Sequence, residues 1–210
     1  ACTDVKGRLH APQSLSALAC MIFLFPQGTI AIGSIVNYGA YEQISRDFMS
    51  EPGAQVYLDQ GIAVLDGDIG AKTFATFLSV LERRKISTLS LSSGGGFIDI
   101  AMEIGQVLKD KHIDVVVTNY CESACVIIAL SGERLFVSPN AYFGFHRASS
   151  DASSDSPVGR YFGNLGTAEF MEILRRLGVP QSVLTIAETT PADSMCDLPG
   201  DEMIALGLAQ

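Results

Sequence analysis

Apolar positions change their spacing at Gly61. Beyond it, short apolar runs bounded by glycine alternate with stretches in which apolar residues recur every three or four positions. Ile62–Leu65, closed by Asp66-Gly67-Asp68, predicts a buried strand ending in a turn. Phe74, Phe77, Leu78 and Leu81 then mark one face of a helix. Ile86–Leu91 predicts the next strand and Ser92–Gly96 a turn. Ile100, Ile104, Val107 and Leu108 mark a second helix, with Lys109, Lys111 and His112 near its C-terminal end, where positive charge is favourable. Ile113–Val117 predicts a third strand. The order β-α-β-α-β is the signature of an α/β fold with a largely parallel sheet covered by helices.

Further along, Ala124–Leu130 is apolar enough for a buried helix, and Leu135–Val137 and Tyr142–Phe145 predict short strands. Ala148–Gly159, rich in Ser and Asp, predicts a loop. Phe170, Ile173, Leu174 and Leu177 define another helical face. Gly178 is placed to end that helix and Pro180 to open the next. Asp201–Gln210 predicts a short helix or turn. The chain thus divides into an N-terminal extension, residues 1–60, and a domain, residues 61–210. The extension is expected to be helical, with Tyr41–Phe48 one helix, and to offer an oligomer contact. Its apolar runs, Ala17–Phe25 and Thr29–Val36, are separated by Pro26–Gly28, and each falls short of the ~20 residues a membrane span needs.

The 210 residues are 48% hydrophobic, enough for one sizeable core. A net charge of −9 argues against a nucleic-acid partner, and Arg83-Arg84-Lys85 reads as a solvated helix end. The chain begins at Ala1 rather than Met, consistent with a processed or truncated protein. Its five cysteines are Cys2, Cys20, Cys121, Cys125 and Cys196, an odd number that leaves one thiol free or paired between chains. Cys121 and Cys125 have no second pair or histidine cluster beside them, which argues against zinc and leaves a disulfide open.

Three features carry candidate chemistry. Ser93-Gly94-Gly95-Gly96 sits between a predicted strand and a predicted helix. It serves either as a plain turn or as a place where a ligand can approach backbone N–H groups. It lacks the Lys-Ser/Thr pair of a phosphate loop. Ser123, in Cys121-Glu122-Ser123-Ala124-Cys125, lies at the next strand-to-helix transition, as a helix cap or as a nucleophile. His146 is the one histidine of three placed to meet it, as a structural residue or as a general base.

Together these residues resemble the Clp protease/crotonase superfamily, and within it the periplasmic Clp-protease-like proteins. Leu65–Ile69 is similar to the first-strand signature, and Ser93–Gly96 resembles the Ser-Pro-Gly-Gly turn with Gly94 in place of proline. Ser123 matches the nucleophile by its nine-residue interval to Gly132, and His146 the catalytic histidine by its six-residue interval from Asn140. Ala205-Leu206-Gly207-Leu208 matches the closing segment. The resemblance implies repeated β-β-α/β-α units around a mostly parallel sheet, and a serine peptidase in which Ser123 attacks and His146 is the base. The backbone N–H groups of Gly95 and Ala124 would form the oxyanion hole. It implies no cofactor, peptide or unfolded polypeptide substrates, a homo-oligomer contacting through Ala148–Leu177, and a periplasmic or otherwise exported location; the apolar runs before residue 40 leave a broken membrane hairpin as an alternative to packed helices or an oligomer contact.

The third catalytic position falls at Thr189, at Glu188 with a one-residue shift, or at nearby Asp193. Cys121 and Glu122 replace the usual small residues before the serine, and Glu122 is expected to point outward. Two other readings accompany the peptidase: a non-catalytic binding or assembly module on the same scaffold, and a crotonase-like acyl-CoA enzyme using the same oxyanion donors.

Overall fold

A computed structural model describes residues 53–149 and 157–210. The apolar runs and helix expected before residue 50, and most of the loop expected at Ala148–Gly159, lie outside the described residues. The first strand, β1 (Gln55–Asp59), falls in the stretch expected to be a helical extension. It pairs antiparallel with β2 (Ile62–Asp66), across Gln60 and Gly61, both in the left-handed region.

Two crossovers follow. Helix α1 (Thr73–Arg83) joins β2 to β3 (Thr88–Ser92), and α2 (Ile98–Asp110) joins β3 to β4 (Asp114–Val117). The regular alternation stops there. The short β5 (Tyr120–Glu122) follows directly, then α3 (Cys125–Ser131), β6 (Leu135–Val137) and β7 (Tyr142–Phe145). Helices α4 (Pro157–Arg176) and α5 (Gln181–Thr189), β8 (Cys196–Pro199) and α6 (Gly200–Ala205) complete the order. Among the described residues, no helix is long and apolar enough to cross a membrane.

The strands form two sheets. The larger runs β1-β2-β3-β4-β6, parallel except at β1; the smaller runs β5-β7-β8, with β5 parallel and β8 antiparallel to β7. In the large sheet Ala63, Leu89, Val115 and Leu135 stand in one row, all buried. Their neighbours Val64, Ser90, Val116 and Phe136 form the next row and are only half-buried. One face therefore packs on the core, and the strands alternate rather than run continuously apolar. Beyond β6, Gln210 continues the ladder: its N–H donates to Leu135 O and its carbonyl accepts from Val137 N–H.

Helix α3 is buried from Cys125 through Ala129, apolar on every side, as a helix must be at the centre of a core. It lies close against α2, where a Cβ on Gly105 would come within 2.6 Å of Ser131 Oγ. Helix α4 buries Phe170 and Leu174 and ends at Gly178, whose φ of +84° needs glycine. Pro180 stands just before α5.

Phe143 is fully buried at the centre of β7, paired with Cys121 on one side and Leu198 on the other. Phe143→Ala is expected to lower the unfolding free energy by about 3–5 kcal/mol. A denaturant melt should show a lower midpoint at unchanged slope.

Candidate active site at the junction of the sheets

Ser93 leaves the end of β3 and is paired through its main chain to β5. Its N–H donates to Tyr120 O at 3.4 Å and its carbonyl accepts from Glu122 N–H at 2.9 Å. Gly95 and Gly96 then take φ values of +101° and +133°, which L side chains resist. They need glycine for space as well. A Cβ on Gly96 would fall on the Ile69 carbonyl, which Phe97 N–H also uses. A Cβ on Gly95 would lie 2.7 Å from Ser123 Cβ and 3.2 Å from Ala124 N. The backbone of the glycine turn thus rests directly on the serine. At Gly94 a Cβ would lie 2.9 Å from Asp68 Oδ1, so glycine in place of proline leaves room for that carboxylate.

Ser123 occupies the sharp turn between β5 and α3, with a φ of +54°. A non-glycine residue held there carries strain, and such strain gathers at functional sites. Its N–H donates to Gly144 O at 2.8 Å, and its carbonyl accepts from Val126 N–H at 3.0 Å. The helix-cap alternative is not realised: Ala124 is the N-cap residue, and no side chain caps α3. A disulfide joins Cys121 to Cys125 across this turn, with Cα atoms 5.3 Å apart. Cys196 is disulfide-bonded as well.

His146 follows β7. The parallel register of β5 and β7, which sets Glu122 opposite Gly144, brings the ends carrying Ser123 and His146 side by side. The imidazole Nδ1 lies 3.1 Å from the Ala192 carbonyl, and Arg147 N–H donates to Thr190 O at 3.0 Å. A carbonyl can only accept, so Nδ1 carries the proton and Nε2 keeps its lone pair. Burial lowers the imidazole pKa below its ordinary 6.5, with the Ala192 bond opposing in part. No hydrogen bond joins the Ser123 hydroxyl to the imidazole in this structure.

The group at Nδ1 is thus a main-chain carbonyl and not one of the side chains expected there. Thr189 spends its hydroxyl on its own helix, donating to Thr185 O at 2.7 Å. Asp193 is exposed and accepts from Ser194. Glu188 lines a groove of about 640 Å³ with Arg147, Asn164, Met171 and Arg175, and neither Ser123 nor Gly95 borders that groove. Nothing in a side-chain pattern could have flagged Ala192, because its contribution is backbone.

Glu122 does not point freely outward. It is half-buried, and a Cβ on Gly144 would lie 2.7 Å from its Cγ. Burial raises its pKa above the ordinary 4.5, and the nearby charges of Asp197 and Asp68 raise it further. Burial also raises Asp197, whose Oδ1 is enclosed without a hydrogen-bond partner. A raised pKa makes this carboxyl easier to protonate, and the protonated form carries no charge to repel a developing oxyanion beside it.

No family model matches the chain, and no curated protein matches it. Among solved structures it is similar to a single-residue mutant of ClpP1 from Listeria monocytogenes, with a TM-score of 0.54 at 17% identity. That match covers 70% of this chain and 86% of the other. What the chain shares with ClpP1 is therefore its fold, an α/β architecture built on a mixed sheet.

Proposed function

We propose that this chain is a serine hydrolase acting on peptide bonds, with Ser123 as nucleophile and His146 as general base. One observation carries the reading. Ser123 is held in a left-handed turn against Gly95, at a strand end paired with the strand that leads to His146, whose Nδ1–H is tied to Ala192 O and whose Nε2 keeps its lone pair. The fold shared with ClpP1 supports it.

In this reading Ser123 Oγ attacks the substrate carbonyl carbon while Nε2 takes the hydroxyl proton. The proton passes to the leaving amine, and water repeats the sequence on the acyl-enzyme. The new oxyanion is held by Ala124 and Gly95 N–H groups, each typically worth about 3–4 kcal/mol. Gly95 N–H meanwhile donates to Ser93 Oγ at 3.1 Å. An oxyanion would outcompete that neutral hydroxyl, because hydrogen bonds to charged acceptors are roughly twice as strong. Ala192 O fixes the imidazole tautomer but offers the imidazolium only a dipole, so slower turnover than with a carboxylate is expected.

Self-association fits the same reading: Tyr161 and Leu165 lie exposed one turn apart on α4. The Cys121–Cys125 bridge supports an exported, periplasmic setting, since disulfides persist in oxidising compartments. The missing Ser123–His146 hydrogen bond and the missing carboxylate at Nδ1 favour a second reading, a binding module on the same scaffold.

A fluorophosphonate probe separates the two. Wild type should label, Ser123→Ala should not, and His146→Ala should label about 100-fold more slowly. Thr189→Val should match wild type. An unlabelled wild-type oligomer, beside a hydrolase control that labels, decides for the binding module. Gly95→Ala should also stop labelling, because the added methyl meets Ser123 Cβ.

The pH dependence follows from His146. Its labelling rate should rise with pH and level off below 6.5, the ordinary imidazole value. The native ring binds protons less readily than the unfolded one, so its contribution to stability is lost as pH falls from above 6.5 through the lowered value. Melting temperatures of wild type and His146→Gln across that window should diverge accordingly.

A further inference from the structure

We propose that the Cys121–Cys125 disulfide is a positioning clamp on Ser123, and that its reduction by a dithiol lowers the reactivity of the serine without unfolding the protein. The inference rests on Ser123 being the nucleophile. Cys121 is the central residue of β5, paired with Phe143 and bridged to Ser93. Cys125 is the first residue of α3. The bridge closes over Glu122, Ser123 and Ala124, with the serine in the middle.

A crosslink between residues four apart removes little freedom from an unfolded chain, so its effect on global stability is small. Its effect is local instead. It fixes the direction in which α3 leaves β5, and with it the left-handed conformation of Ser123, which an L residue otherwise leaves. The hydrogen bonds from Ser123 N–H to Gly144 O and from Val126 N–H to Ser123 O hold the peptides on either side, not the φ angle itself. With the bridge open, relaxation of that angle carries Oγ away from Gly95.

Both cysteines are fully buried, so reduction waits on a local opening of the turn. One thiolate of the dithiol then attacks a bridge sulfur, and the bond between the cysteine sulfurs breaks. Its second thiol closes on the mixed disulfide and releases the protein. Two electrons pass to the protein, which gains two protons as two thiols, and the reductant leaves as a cyclic disulfide.

Because Cys196 is also disulfide-bonded, the test uses the full chain with only this bridge removed, Cys121→Ala/Cys125→Ala, beside wild type with and without dithiothreitol. Three quantities are measured: fluorophosphonate labelling rate, amide exchange over Ala124–Ile127, and melting temperature. The clamp predicts labelling slowed about tenfold, faster exchange confined to that stretch and a small loss in melting temperature. Reduced wild type should behave alike and recover on reoxidation. Unchanged labelling and unchanged exchange overturn the clamp. If oxidised wild type never labels, the hydrolase reading falls and exchange alone decides: faster exchange supports the clamp, unchanged exchange overturns it. If the variant does not fold, partly reduced wild type decides, taken where mass mapping shows alkylation at Cys121 and Cys125 and none at Cys196.

Discussion

Ser93 is hydrogen-bonded to β5 through both its N–H and its carbonyl, and this pairing splices the small sheet onto the end of the large one. The rest of the site depends on it. Without the splice, β5 has only β7 to hold it, and a strand of three residues is too short to fix its own register. With it, the glycine turn after β3 and the serine turn after β5 meet face to face. The two left-handed glycines let the backbone pass under Ser123 with no side chain between. Ser93 itself is fully buried, and its hydroxyl bonds back to Gly95, so the residue that joins the sheets also holds the turn.

How far this was legible in the sequence differs by element. β2, β3, β4, β6 and β7 were foreseen, because apolar residues bounded by glycine or turn residues announce strands. β1, β5 and β8 were not. Tyr-Cys-Glu and Cys-Asp-Leu-Pro carry no such pattern, and those strands exist through pairing with β7. Ser123 and Gly95 stand out in the sequence at strand ends, and the structure sets the Gly95 backbone against Ser123 and Ala124. The sequence sets His146 in or just after a short strand; that this strand pairs with the one before Ser123 comes from the structure, which shows no bond between the two side chains. The partner of His146 was sought among side chains, and a backbone carbonyl leaves no mark in a residue pattern. Glu122 was expected to face solvent, but strand alternation around buried Cys121 sets it over Gly144 instead.

The surroundings of the turn are electrostatically costly. Glu122 lies near both Asp68 and Asp197, and burial raises Glu122 and Asp197 above their ordinary values. The folded state therefore holds their protons more tightly than the unfolded chain does. The cost of burying their charged forms is absent below the unfolded values of 4.5 and 3.8, and stability is lost as pH rises through the raised ones. Burying carboxyl groups this close together costs stability at neutral pH. Conflicts of this kind tend to concentrate where function overrides packing.

Gln210 has a consequence at the opposite side of the large sheet. By bonding to Leu135 and Val137 it occupies main-chain groups that an added strand would need on β6. β1 has no such cover among the described residues, and Gln55, Tyr57 and Asp59 are exposed along it. Among the described residues, the two flanks of the sheet therefore differ, β6 being capped by Gln210 and β1 not. Gln210 thus keeps an incoming strand off the Leu135 and Val137 main chain, so the chain's own terminal residue limits growth of the sheet at β6.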